Sequence, residues 1–596
     1  MRSKPLIKKF FAATAGILLL IFAAIALAPF YVDGSLLRNT LAARLSQFSG
    51  GDVKIKGRVR LESFLTLAIQ AEDVEVVNVK NLGPIGGIHA GKVTAGVGWG
   101  DLIAGRRRFD ELAIDGAKIT LMPDAEATKP DYTQSFLQSM AALESNPFET
   151  IRFTNGSVYS DATLTPLKIS RVRFSRSGNG RRLSARGNIV WKDQAMYFRA
   201  RRGRKTQGAE GLVTPLNLEI SGLAMNLNFT GSLGLSPEVA LKGDLEFTTP
   251  EASALPSWLN LGWTLPETVS AVTVAGWLRW SGGLALLEDA NMSINGNDAD
   301  GSISLRTREA CPIVEGDLAF RSLDLSDFIT PEAVKAPVQA CLKADVRISA
   351  DKLTAGSVRA GPTAAAVNVH NGKITANIAE LEVFGGVLRG NLEADFSGHT
   401  PVWTVRATGQ ELDVSRITDS AHMGVWLQGA ANANIELRAQ GLTVMDAMKS
   451  INGQAKINFA SGGSLGSETV ERLSTITNGS PALAEIVPSR FLRLRGEFGA
   501  VDGMVAARLL EMNGDGSSLA GKGNTDMSNG TIDMHFDIRS AFANASNGGA
   551  SPSIIASPAP GNFSQVLRVQ GTWANPEIEI NGKPIALNKT NGVAPF

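Results

Sequence analysis

Strand-length runs in which apolar and polar residues alternate recur from DVKI at Asp52 to PEIEI ending at Ile580, and they constrain the fold more than any other feature. Leu216, Leu218 and Ile220 alternate with Asn217 and Glu219. Val272, Val274, Leu278 and Trp280 share one parity, and Ile532, Met534 and Phe536 stand against Asp533, His535 and Asp537. A period of two gives each strand one apolar and one polar face. Open twisted sheets rarely exceed about ten strands without curling or splitting. The runs outnumber that, and few helical segments are available to cover them. Either the apolar faces pack on one another in sandwiches, or a sheet curls into a trough with an apolar interior. An open trough needs an apolar occupant, because large exposed apolar surface is a liability. In a cell envelope that occupant is a lipid acyl chain, which makes Val272, Val274, Leu278, Trp280, Ile532, Met534 and Phe536 the candidate lipid-facing residues.

The start of the chain points to an envelope. Phe10–Val32 carries no charge and has Phe10, Leu18, Leu19, Leu20, Ile21, Phe22 and Ile25 within it. At about 1.5 Å per residue a helix of that length spans the roughly 30 Å hydrocarbon core of a bilayer. Arg2, Lys4, Lys8 and Lys9 precede it and Asp33 follows, so the tail at residues 1–9 is expected inside and the rest outside. Ala26-Leu27-Ala28 also matches a signal-peptide cleavage site. The length of the run, and Pro29 directly after the cut, favour a retained anchor at 10–32.

Residues 33–48 are expected to form a helix with Leu37, Leu41, Leu45 and Phe48 as its stripe, capped by Asp33 or Ser35 and ended by Gly50-Gly51. A β region follows to residue 210, its 123–148 stretch being a polar connection with one helix. A middle β region covers 211–350 and a C-terminal one 351–582, with a tail at 583–596. Short helices are expected near 252–260, 420–426, 443–450 and 468–476. The Ala/Ser/Pro/Gly-rich stretch 543–562 reads as a flexible loop. The fold class expected is mostly β: one membrane helix, then a long curled, mostly antiparallel sheet forming a groove, with a few short helices.

Charge is uneven. From Thr150 to Thr206, 14 Lys and Arg face only Asp161 and Asp193, a segment of +12 in a chain of +1, leaving −11 elsewhere. An ordinary solvated face is the plain reading. The alternative is docking on anionic headgroups, with Arg199, Arg201, Arg202 and Arg204 as candidate contacts. The near-zero total implies no bulk attraction to nucleic acid. Cys311 and Cys341 are the two cysteines. Outside the cytoplasm they can pair, contributing about 3–4 kcal/mol in the chain-entropy model; two buried free thiols are the other reading.

No motif supports catalysis, a cofactor or a metal. GSSLAGKG at Gly516–Gly523 ends on glycine where a P-loop needs Ser or Thr, and reads as a turn. NDADG at Asn297–Gly301 lacks most ligands of an EF-hand loop and reads as a hairpin turn. His89, His370, His399, His422 and His535 form no ligand spacing. Trp258, Trp263, Trp277 and Trp280 cluster in sequence, and packing explains them better than a sugar platform.

The order of several phrases resembles the AsmA family, including its TamB and bridge-like lipid-transfer relatives. They are GDVKIKGRVRLES, LAIQAEDVEV, AGKVTAGVGWGDLIAG and FDELAIDGAKITL after the apolar span; LPSWLNLGWTLP and EGDLAFRSLDLSDFI in the middle; and NGKITANIAELEVFGGVLRGNLEADF, ANIELRAQGLTVMDAMKSINGQAKINFASGGSLG and VQGTWANPEIE towards the end. The resemblance implies a bacterial inner-membrane protein with one N-terminal span, its bulk in the periplasm. It implies phospholipid as ligand, outer-membrane assembly proteins as partners, a role in outer-membrane biogenesis, and no enzyme activity. A scaffold that acts through protein partners without carrying lipid is the alternative. An envelope hydrolase has no supporting motif.

Overall fold

The computed structural model of the protein describes residues 34–63, 67–82, 85–97, 111–121, 148–160, 163–177, 182–208, 211–234, 239–259, 265, 267–307, 311–328, 343–420, 427–466, 490–514, 517–540, 563–572 and 575–585. The expected anchor at Phe10–Val32, the helix within 123–148, the helix near 468–476 and the loop at 543–562 lie outside them. Among the described residues no helix is long and apolar enough to cross a membrane. The chain divides into two compact units, one running to Glu251 with Ala271–Ala285, the other Ala252–Ser270 with Leu286 onward. Both are mostly β, as the alternation predicts.

The first unit opens with helix α1 (Gly34–Ser49). Gly50 at φ +67° ends it, as a left-handed C-terminal cap does. Strands β1 (Asp52–Ile55), β2 (Val59–Ser63), β3 (Leu67–Val77), β4 (Ile85–Val97) and β5 (Glu111–Leu121) follow. β1 and β2 together form one edge on β3, which pairs with β4, and β4 with β5, all antiparallel. β6 (Thr150–Ser160) then joins β5 in parallel. A parallel pair needs a crossover of a dozen or more residues, which the polar connection between Leu121 and Thr150 supplies. From there the meander is antiparallel: β7 (Thr163–Ser177), β8 (Arg182–Trp191), β9 (Gln194–Arg202), β10 (Thr206–Gly208), β11 (Gly211–Gly222), β12 (Asn226–Gly234), β13 (Ala240–Thr249) and β14 (Val272–Ser281). β11 takes both β9 and the short β10 on one side and β12 on the other.

α1 lies on the apolar face of the early strands. Leu41 and Leu45 are buried with Ile69, Val74, Val93, Leu112, Ile114, Ile151 and Val172. Phe48 meets the buried Phe148 edge-on at 6.1 Å between ring centres. Burying a leucine contributes about 1.5–3 kcal/mol, so this helix supplies the first unit with a closed core.

The boundary between the units falls in β15 (Leu284–Ile294). The second unit holds β16 (Asn297–Arg306), β17 (Ile313–Phe320), β18 (Leu323–Asp324), β19 (Lys343–Ala350), β20 (Leu353–Ala355), β21 (Val358–His370), β22 (Lys373–Val383), β23 (Gly386–Asp395) and β24 (Val402–Asp413). It continues with β25 (Leu427–Gln428), β26 (Ala430–Gln440), β27 (Asn452–Phe459), β28 (Gly463–Leu465), β29 (Arg490–Val501), β30 (Met504–Gly514), β31 (Ser517–Asp526), β32 (Thr531–Ser540), β33 (Phe563–Thr572), β34 (Asn575–Ile580) and β35 (Lys583–Ile585). The main ladder runs β16-β17-β19-β21-β22-β23-β24-β26-β27-β29-β30-β31-β32-β33-β34-β35. It is antiparallel except at β17–β19, where the chain again makes a long crossover. The short β18 and β20 are likewise parallel. Among the described residues no pairing joins the end strands of either ladder, so the sheet is open.

Three expectations are corrected. SSLAGKG, Ser517–Gly523, lies in β31 and NDADG in β16, the turn before β16 being Asn295-Gly296 with φ of 51° and 80°. Gly301 and Gly523 are there for close approach: a Cβ on either would strike the neighbouring strand at the carbonyl of Asp317 or Asp533. The expected tail at 583–596 starts with β35, paired to β34. Helix α3 runs Val414–Ser420, and 421–426, where a helix is expected, lie outside the described residues. α3 starts where it does because the Asp413 carboxylate accepts from the Ser415 N–H at 3.0 Å and its hydroxyl at 2.6 Å, which caps the first turn. A turn of 3-10 helix at Ala252–Ala254, helix α2 (Leu255–Leu259) and helix α4 (Val444–Lys449) fall where expected.

Candidate functional site: the apolar face in each unit

The register turns single alternating strands into rows. In the first unit Ile151 lies opposite Phe174, Phe174 opposite Ala185, Ala185 opposite Ala200, Ala200 opposite Leu218, and Leu218 opposite Phe229. Phe229 then faces Leu245, and Leu245 faces Gly276. The neighbouring row carries Phe198, Ile220, Leu227, Phe247 and Val274. In the second unit one row runs Leu318, Ile348, Ala365, Ile378, Gly390, Ala407, Ile435, Ala455 and Phe498. It goes on through Ala507, Gly523, Met534, Val569 and Ile578. A residue opposite another across a ladder shares its face, so each unit has one face that is apolar from strand to strand.

Cover on these faces is uneven. Under α1 the side chains are closed off, and Leu41, Leu112 and Ala95 are at 0% exposure. Past β7, and through most of the second unit, the apolar positions are only half-buried: Leu216, Leu218, Ile220, Val346, Val367, Leu392, Val405, Ile435 and Leu437 all are. The second unit's closed clusters are small, the largest being Ala431, Phe459, Phe491, Leu494 and Met512. Among the described residues no second layer covers the rows between.

Glycines sit in the rows where neighbouring strands approach too closely for a Cβ. Gly231 and Gly243 face each other on β12 and β13, and a Cβ on either would run into the other strand's backbone. Register shifts at Ile378/Leu381 and Gly409/Leu412 add bulges, which bend and twist a strand. At the second, Glu411 takes a left-handed φ of 54° and its N–H donates to the Asn432 side chain at 3.0 Å.

The candidate lipid-facing residues fall on these faces. Val272, Val274, Leu278 and Trp280 are half-buried on the first unit's apolar face, opposite Thr249, Phe247, Gly243 and Leu241. Ile532, Met534 and Phe536 lie on the second unit's apolar face, with Met534 buried. Trp277 points to the other side of β14, opposite Asp244, so it and Trp280 form no joint platform. The sequence reading missed most other row members, such as Leu218, Phe247, Val405 and Ile435. The same alternation marks them.

The four candidate headgroup arginines do not form one cluster. Arg199 and Arg201 project from the polar face of β9, Arg199 pairing with Glu219 at 3.2 Å. Arg202 is on the apolar face between Leu183 and Leu216, 6% exposed, and Arg204 lies beyond the strand's end. Consecutive strand residues point to opposite faces, which separates Arg201 from Arg202. Cys311 is disulfide-bonded; Cys341 lies outside the described residues.

The polar faces differ in charge balance. In the second unit shallow hollows are lined by Asn434, Lys456, Arg495 and Glu497, and by Arg406, Glu436 and Gln454. Here charges are paired: Lys456–Glu497 at 3.8 Å, Arg495–Glu497 at 2.7 Å and Arg406–Glu436 at 3.4 Å. Arg495 and Lys456 hold the Glu497 carboxyl below its usual range. The Asp395 carboxyl is lowered to about 2, chiefly by the Ser397 hydroxyl and N–H and then by Lys373 at 3.0 Å. Among the described residues no group of His, Cys, Asp and Glu is placed to hold a metal.

Each unit is thus open amphipathic β-sheet, apolar on one face and polar on the other. Residues 332–508, from before β19 into β30, match the sequence model of the AsmA family. The resemblance read from the sequence is shown over that stretch, which lies within the second unit. Neither a comparison with curated proteins nor one with solved structures gives a match.

Proposed function

We propose that the apolar sheet faces hold the acyl chains of phospholipid, and that the protein binds or transfers phospholipid in support of outer-membrane biogenesis. One observation carries this reading: row after row of apolar side chains left half-buried, over far more strands than a surface patch needs. Leaving such a face to water is unfavourable at roughly 25 cal/mol per Å² of apolar area, and an acyl chain laid across the strands removes that area. A polar substrate would gain nothing from these rows. The AsmA family match supports an envelope setting. Within this reading the run Phe10–Val32 is a retained inner-membrane anchor, the bulk of the chain is periplasmic, and the protein is not an enzyme. A reporter fused after Phe596 that is active only in the cytoplasm would overturn that topology.

The test is lipid mass spectrometry on the purified full chain. Phospholipid at a fixed ratio to protein is the expected result. Protein that purifies free of lipid, and takes up none when offered it, would favour a scaffold acting through protein partners.

A further inference from the structure

On the polar face of the first unit the register builds a row of four arginines. Arg152 on β6 lies opposite Arg173 on β7, Arg173 opposite Arg186 on β8, and Arg186 opposite Arg199 on β9. At about 4.8 Å between strands the row is roughly 14 Å long. Like charges set directly opposite one another destabilise a sheet, so such a row is unfavourable unless something neutralises it. Among the described residues only its ends are neutralised: Arg152 by Glu111 at 2.6 Å and Arg199 by Glu219 at 3.2 Å. Among the described residues no carboxylate is within ion-pair distance of Arg173 or Arg186 in the middle, nor of Arg171 beside them. Arg171, Arg186 and Arg201 are exposed, and small hydroxyls fill the gaps, Ser175 and Ser184 bonding each other at 2.6 Å.

We propose that this arginine row is a docking surface for a bilayer bearing anionic phospholipid headgroups. Guanidinium groups pair with phosphate in forked geometry, and a row on an open sheet face fits a surface of phosphates rather than one small anion. Single-stranded nucleic acid would need aromatic rings interleaved with the cations. The tyrosine of the patch, Tyr197, is engaged instead, with the Arg199 guanidinium over its ring at 5.5 Å. The row is independent of what the apolar face holds, so it stands or falls separately from the lipid-carrying reading.

The test uses the full chain with Asn188→Cys, an exposed position beside the row, carrying a fluorophore in nanodiscs of phosphatidylcholine with or without phosphatidylglycerol. The expected result is protection from an aqueous quencher only with phosphatidylglycerol, lost at high salt. Arg173→Ser with Arg186→Ser should weaken it about 25-fold, at about fivefold per basic side chain. Arg173→Lys with Arg186→Lys should keep most of it, which shows that the face still folds. Protection equal in neutral and anionic discs, or unchanged in the serine variant, would overturn the proposal. So would a response to soluble inorganic polyphosphate with none to anionic discs.

Discussion

A carboxylate placed in an apolar row separates a lipid-bearing face from an ordinary sheet surface. Ile435 is half-buried on β26 between Ala407 and Ala455, with Glu436 beside it on the opposite face. In the lipid-free protein Ile435→Asp loses about half the burial of an isoleucine, about 1 kcal/mol. The new carboxylate still reaches water, so the fold survives. With an acyl chain across the face that water is gone, and an aspartate against hydrocarbon costs about 3 kcal/mol on insertion scales. The expected effect is a loss of phospholipid affinity of about 10²-fold, with a melting temperature only a few degrees lower. Ile435→Ala should lose affinity much less, which separates charge from size. Glu436→Ala, on the polar face, should leave affinity unchanged and cost at most about 1 kcal/mol for its exposed pair with Arg406. The assay is titration with a fluorescent phospholipid beside thermal melting. A folded Ile435→Asp protein that binds with unchanged affinity would refute the reasoning.

Leu41→Ala empties part of the closed core under α1 and should lower the stability of the first unit by about 2–5 kcal/mol, read by urea unfolding; a change under 1 kcal/mol would mean that the helix is not seated there. The Asp395 carboxyl titrates near 2 in the folded protein against an ordinary 3.8. Its contribution to stability is therefore present above 3.8 and lost as pH falls from there through about 2. Ser397→Ala and Lys373→Met should each raise this pKa, measured by NMR titration, and no rise in Ser397→Ala would contradict the hydrogen-bond assignment. Oxidised protein in denaturant should show no free thiol and two after reduction, if Cys311 pairs with Cys341; full labelling without reductant would exclude the pair.

The amphipathic sheets were legible because a period of two survives in almost every strand, and register then brings like parities together. The parallel joins at β5–β6 and β17–β19 were not legible. A polar connection looks the same whether the chain returns antiparallel or crosses over. Gly301 and Gly523 were misread as turn glycines because sequence does not distinguish left-handed backbone from close strand approach. The arginine row was hidden for a related reason. In VRFSRSGNGRRLSARG the alternation is partial, and the register that runs from the Ser177–Arg182 pair sets which arginines meet. Treating Arg199, Arg201, Arg202 and Arg204 as one set overlooked the strand period that places Arg202 among Leu183 and Leu216.

The central claim is that acyl chains touch one parity of each strand and not the other. Photo-crosslinking in cells tests it most directly, with benzoylphenylalanine placed at successive positions of β24 and β26. Lipid adducts are predicted at Val405, Ala407, Ile435 and Leu437, and none at Arg406, Thr408, Glu436 or Arg438. Adducts on both parities, or protein adducts alone at Val405, Ala407, Ile435 and Leu437, would contradict it.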